Sequence, residues 1–158
     1  MLRSFAVLAA LSGFFCSSCQ SSTPITAGNP TDASRPAAPA AALFETRWVL
    51  RQTGTQAVVV PEGGKEAYLL LRRTGVAEGQ GSCNGFSGSA LTDSVKSLTF
   101  TPLRSTRMAC PALATEQAFT QALAATHSYR ISGDTLRLYA TPEPGATPLA
   151  RLEAVYLH

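Results

Sequence analysis

The chain has 158 residues, 45% of them hydrophobic and 15% charged, with a formal net charge of +3. So small a balance argues against nucleic acid as a partner, because that binding needs a concentrated basic face. The length suits one domain of ordinary size that can bury its own core.

Residues 1–4 carry one positive charge, Arg3, and residues 5–15 are apolar except for Ser12 and Gly13. A permanent membrane helix needs about 20 apolar residues, so this shorter run is expected to be the apolar part of a secretory signal. Cys16 and Cys19 follow in a formal C-x-x-C spacing, which elsewhere can mark a redox or zinc site. The small residues Ser17 and Ser18 immediately before Cys19 instead resemble the lipobox of bacterial lipoproteins. That resemblance implies a signal peptide over 1–18 and lipidation of Cys19, the membrane being the partner through that anchor. Two or three acyl chains would hold stably, at about 0.8 kcal/mol per buried methylene. Gln20 after the anchor, by likeness to lipoprotein sorting signals, implies the outer membrane and its periplasmic face. Simple secretion is the alternative.

From 20 to 42 the chain is, after Gln20, Ser, Thr, Pro, Ala, Gly and Asn with one Asp and one Arg, and Ile25 is the one large apolar residue. Such a composition cannot offset a backbone ordering cost of about 1–2 kcal/mol per residue. Residues 19–43 are therefore expected to be a flexible tether with a reach of roughly 25–30 Å, and residues 44–158 the folded domain.

Within that domain, Trp48 and Leu50 alternate with Arg47, Val49 and Arg51, the pattern of a half-buried strand. Residues 58–60 form a short apolar run stopped by Pro61. Residues 68–71 and 76–83 predict two more strands, the second carrying Gly79 and Gly81, whose spacing signals close backbone approach or a bend. Short strands are expected at 86–91 and 97–100, separated by a turn at 92–94. Residues 115–126 predict the one helix, with Phe119, Ala122, Leu123 and Thr126 on a single buried stripe. Glu116 stands in its first turn and His127 beyond its last, where each suits the helix dipole. Residues 128–132 and 135–139 alternate around Gly133-Asp134, the clearest hairpin in the chain. The alternation at Ala150, Leu152, Ala154 and Tyr156 predicts a final strand. Many short strands and one helix indicate a mainly β (α+β) fold, a small barrel-like curved antiparallel sheet with a packed helix.

Two segments centre on cysteines: Gly81-Ser82-Cys83-Asn84-Gly85-Phe86-Ser87-Gly88, and Ser105-Thr106-Arg107-Met108-Ala109-Cys110-Pro111. With the helix after them and Trp48 before them, they resemble the META domain (HslJ-like) family, over roughly residues 44–139. The resemblance implies the same small barrel-like fold and associations with stress, virulence and drug tolerance rather than a known reaction. A disulfide between Cys83 and Cys110 fits that family and an oxidising compartment. It would close a loop of about 28 residues and stabilise by roughly 3.5 kcal/mol. A redox or metal-binding pair is the alternative, though neither cysteine has a nearby histidine in sequence and zinc usually takes four ligands.

Asn84-Gly85 favours a turn with positive φ. Beyond that structural role, Asn84, Gly85 and Ser87 could form a polar binding site with Thr106, Arg107 and Met108 opposite. Gly79-x-Gly81 is not a dinucleotide fingerprint, since Asn84 occupies the third glycine position and no strand–helix unit follows. For catalysis, a histidine or lysine would have to stand beside a nucleophile. His127, His158, Lys65 and Lys96 have no such setting, and the acids are spread over turns and exposed strand positions. The expectation is a non-catalytic envelope lipoprotein without cofactor or metal, with an envelope protein as partner. Two further readings stand beside it: a carrier of a small apolar ligand inside the barrel, and an inhibitor or interaction module using the loop 105–112.

Overall fold

In the computed structural model, residues 39–60, 62–93 and 95–156 are described. The expected signal peptide, Cys16, Cys19 and most of the tether lie outside the described residues, as do Pro61, Ser94 and His158.

Ten strands and one helix follow in chain order among the described residues: β1 (Arg47–Thr53), β2 (Gln56–Ala57), β3 (Tyr68–Leu71), β4 (Val76–Gln80), β5 (Gly85–Leu91), β6 (Thr99–Phe100), β7 (Arg104–Ser105), α1 (Leu113–Ala124), β8 (Ser128–Ser132), β9 (Thr135–Tyr139) and β10 (Ala150–Val155). The sheet runs β6-β5-β4-β3-β1-β10-β9-β8, with β2 paired to β1 and β7 to β5. Its two ends come together before β6: the Leu98 N–H donates to the His127 carbonyl (3.2 Å), and the Tyr129 N–H to that of Lys96 (2.9 Å). The result is a nearly closed antiparallel barrel.

Alternation along the strands sends one set of side chains inward. Trp48, Leu50, Leu69, Leu71, Phe86 and Leu138 join Phe119 and Leu123 from α1 in one hydrophobic core. Phe86 and Phe119 meet edge to face with ring centres 5.9 Å apart. The packed body extends upstream of Phe44: Ala41 and Leu43 are buried, and the Leu43 carbonyl accepts the Trp48 indole N–H at 3.0 Å. Gly79 is required because a Cβ there would fall on the Tyr68 backbone carbonyl oxygen and come within 2.6 Å of Phe86 Cζ. This is the close approach that glycine in a strand signals.

The structure corrects several sequence expectations. The short apolar run at 58–60 lies just after β2 and outside any strand, with Val59 and Val60 exposed by 79% and 44%. Val58 alone packs against the core. Val49, expected to face solvent, is fully buried. Its cross-strand neighbours are Tyr68 and Glu153, on a face where Arg47 stacks on Tyr68 and Arg51 bridges Glu66 and Glu153. Long side chains of this kind cover apolar surface with their stems while their charges stay wet. The helix starts at Leu113 rather than at 115, without a side-chain N-cap. The hairpin β8–β9 matches the expected residues throughout, from Ser128 opposite Tyr139 to Ser132 opposite Thr135.

Candidate functional site

The two cysteine segments meet at the N-terminus of α1. Strand β4 ends at Gln80 and β5 begins at Gly85, and the Gly81 N–H closes the connection by donating to the Asn84 carbonyl at 2.7 Å. The positive φ expected at Asn84-Gly85 falls instead on Ser82 (φ 102°). Ser82 is held there because its hydroxyl donates to the Lys65 carbonyl (3.1 Å) and its own carbonyl accepts from the Lys65 N–H (2.9 Å). Cys83 and Cys110 form a disulfide with their Cα atoms 5.8 Å apart.

Glu116 corrects the expectation that the acids are dispersed and exposed. It is only 7% exposed, and its carboxylate accepts three hydrogen bonds: from the backbone N–H groups of Cys83 (3.1 Å) and Asn84 (2.6 Å) and from Asn84 Nδ2 (2.8 Å). No basic side chain pairs with it among the described residues; the three donors and the N-terminal end of α1 balance its charge. Gly81 makes room, since a Cβ there would stand 2.6 Å from Glu116 Cγ.

Asn84 then carries this anchor to the second segment. Its Nδ2 also donates to the Met108 carbonyl (3.0 Å), and its Oδ1 accepts from the Thr106 hydroxyl (2.8 Å) and the Met108 N–H (2.7 Å). Two donor and two acceptor positions are all that an asparagine amide has, so none is left for a ligand. Asn84 is a buried strut, and the recognition role considered for it passes to the surface that it supports. Thr106 donates its hydroxyl proton to Asn84. Sequence reasoning missed the Glu116 contacts, because its partners at 83 and 84 lie more than thirty positions away and no local pattern joins them.

The strut fixes residues 105–110 in place. Ser105 pairs with Phe86, the Thr106 N–H donates to the Gly85 carbonyl at 3.2 Å, Met108 is bound on both backbone sides, and Cys110 is bridged. Arg107 and Met108 project outward; Met108 is 56% exposed. Between this wall and α1 lies a groove of about 790 Å³, with Leu103, Arg107 and Met108 on one side and Leu113, Gln117 and Gln121 on the other. Such a volume is within the ordinary range for ligand sites, roughly 300–1,000 Å³. The sequence-predicted residues therefore separate. Asn84, Thr106, Arg107 and Met108 are brought together at the groove, whereas Gly85 and Ser87 line a neighbouring depression with Tyr68 and Arg104.

Charge is unevenly compensated across the molecule. Arg47, Arg51, Arg72 and Arg151 form salt bridges with glutamates, and Arg104 and Arg107 form none among the described residues. The carboxyl of Glu45 is held below the usual carboxylate range by the Arg73 backbone N–H and then by the Arg72 guanidinium. Tyr156 is pushed above the usual tyrosine range by its hydrogen bond to Asp134. Among the described residues, no cluster of three or more His, Cys, Asp or Glu side chains is placed to hold a metal ion, and no helix is long and apolar enough to cross a membrane.

The fold has solved counterparts. The chain is similar to a protein from Burkholderia xenovorans whose NMR structure shares 26% identity and a TM-score of 0.55, over 80% of this chain and 97% of that one. A second NMR structure, 20% identical with a TM-score of 0.51 over 69% of this chain and 86% of that one, is alike in fold. No match was found among curated proteins. The family model of the META domain matches residues 41–155. That span takes in every strand, the helix and both bridged cysteines, and the chain belongs to the META domain family.

Proposed function

We propose that the protein is a non-catalytic lipoprotein of the bacterial cell envelope, anchored in the outer membrane through Cys19 and facing the periplasm. Its META domain acts by binding a partner along the groove between α1 and residues 100–109, in keeping with stress or drug-tolerance roles. The observation that carries this reading is the rigid wall. A disulfide, a saturated asparagine and a buried glutamate hold residues 105–110 in one conformation while Met108 and Arg107 face outward. An exposed segment held so firmly keeps its binding conformation before the partner arrives, which lowers the ordering cost of association. Methionine at such a surface adapts to varied apolar contacts.

The groove's chemistry favours binding over reaction. It is lined by no histidine or lysine, and its one carboxylate, Glu116, is buried and accepts three hydrogen bonds from backbone and amide donors. A general base must stand within hydrogen-bond reach of the substrate proton, and this carboxylate is turned toward Cys83 and Asn84 instead.

The test uses the full chain in a two-membrane bacterium. Intact mass of the membrane-extracted protein is expected to show a chain beginning at an acylated Cys19, and a mature mass without acyl chains would remove the lipoprotein reading. A photoreactive residue at Met108 is expected to give a discrete adduct in intact cells, and the same residue at Val59 is expected to give none. Equal labelling from both positions would remove the groove as the binding surface.

A further inference from the structure

On the reading that the groove is a binding surface, we infer that its occupant is an extended peptide segment with an acidic group placed against Arg107. Three features of the lining point to this chemistry.

Gln117 and Gln121 are exposed on α1, one helical turn apart, and neither side chain has a hydrogen-bond partner among the described residues. Residues four apart on a helix share a face with a spacing of about 5–6 Å. An extended chain presents backbone N–H and C=O groups to one side at intervals of two residues, about 6.6–6.8 Å, within the reach of two flexible primary amides. Each amide both donates and accepts, as a peptide backbone requires.

Apolar contacts stand beside these polar groups. Leu103 on the opposite wall is half-buried and Met108 there is 56% exposed, and Leu113 at the start of α1 is 37% exposed. Alternate side chains of an extended segment would rest on them.

Arg107 sets the charge of the occupant. It has no acid partner among the described residues, and Glu116, the groove's one carboxylate, is committed to Cys83 and Asn84. The groove's uncompensated charge is therefore positive, and a planar guanidinium is suited to a carboxylate. An acyl chain with an anionic head could also meet Arg107. Its methylenes would leave Gln117 and Gln121 desolvated without partners, which disfavours it relative to a peptide.

The experiment selects phage-displayed random heptapeptides on the immobilised, oxidised full chain. The recovered peptides are synthesised and measured by fluorescence anisotropy. All three substituted positions are exposed, and each variant is first shown to unfold at the wild-type urea midpoint. Recovered sequences are expected to carry an acidic residue, and Arg107→Gln to weaken them roughly tenfold, as for one charge-assisted contact. The Gln117→Ala/Gln121→Ala double variant is expected to weaken acidic peptides and their amide counterparts alike. Recovery of peptides that bind the variants as well as the wild type overturns this inference while leaving the domain a binding module at another face. Recovery of no peptide, together with a Met108 photo-adduct whose mass is that of a lipid, overturns the peptide and keeps the groove. No peptide and no adduct removes the groove reading as well.

Discussion

Glu116→Gln is nearly isosteric, and its cost follows from which atom meets which donor. If the amide oxygen takes the place of Oε2, the Cys83 and Asn84 N–H groups keep an acceptor, at 3.1 and 2.6 Å in the native side chain, but the new NH₂ faces Asn84 Nδ2, another donor. If the amide turns over, both backbone N–H groups lose their acceptor. Rotating Asn84 to compensate would turn its Oδ1 away from the Thr106 hydroxyl and the Met108 N–H. At least one buried donor is left unpaired, at about 1–3 kcal/mol, and the surviving bonds lose charge assistance, at about 1 kcal/mol. The expected loss is about 2–4 kcal/mol. In urea at neutral pH under oxidising conditions this is a fall of roughly 1–2 M in midpoint with an unchanged slope. Gln117→Ala, one residue away and exposed, is the control, and its effect should stay within about 0.5 kcal/mol. A Glu116→Gln variant as stable as that control would refute the buried-carboxylate anchor.

Reducing the Cys83–Cys110 bridge, or replacing both cysteines by serine, should cost about 3.5 kcal/mol on the chain-entropy model for a separation of 27 residues; equilibrium unfolding with and without reductant measures it. Gly81→Ala places a methyl 2.6 Å from Glu116 Cγ and should destabilise by about 2 kcal/mol or more through the same anchor, with the urea midpoint as readout. Two exposed groups set opposite pH limbs. Glu45, whose pKa is lowered by the Arg73 N–H and Arg72, contributes stability above the ordinary carboxylate range that is lost as pH falls through its folded value. Tyr156, whose pKa is raised by Asp134, contributes below the ordinary tyrosine range and loses it as pH rises through its folded value. Carboxyl NMR of Glu45 and phenolate absorbance of Tyr156 should show these shifts, with Asp134→Asn returning Tyr156 toward its ordinary range.

The fold was legible wherever a strand is buried on one face only. The hairpin around Gly133-Asp134 declares itself because Leu136 and Leu138 must point inward while their neighbours need not. Residues 58–60 were legible only as an apolar run, which carries no information about which face exists to receive it. Once β2 ends, Val59 has no sheet beneath it. Strand β7 was invisible, since two residues carry no period and both are exposed. The site was half legible. Two cysteine-centred segments signalled a junction and the disulfide formed there. Glu116 was missed because an acid in a helix's first turn already has a sufficient local explanation in the dipole. Its three partners come from residues 83 and 84, more than thirty positions away. Asn84 was noticed for its turn propensity, yet its role lies in a side chain saturated by contacts that no local pattern encodes.

The central claim is that residues 105–110 form a fixed wall. Native-state hydrogen exchange at the Met108 amide tests it most directly. This N–H lies in an exposed segment outside helix and strand, and its acceptor is Asn84 Oδ1 at 2.7 Å. Protection approaching that of core amides is expected in the oxidised protein, with a large loss of protection there in Glu116→Gln. Exchange of the wild-type Met108 amide at the rate of an unstructured chain would contradict it.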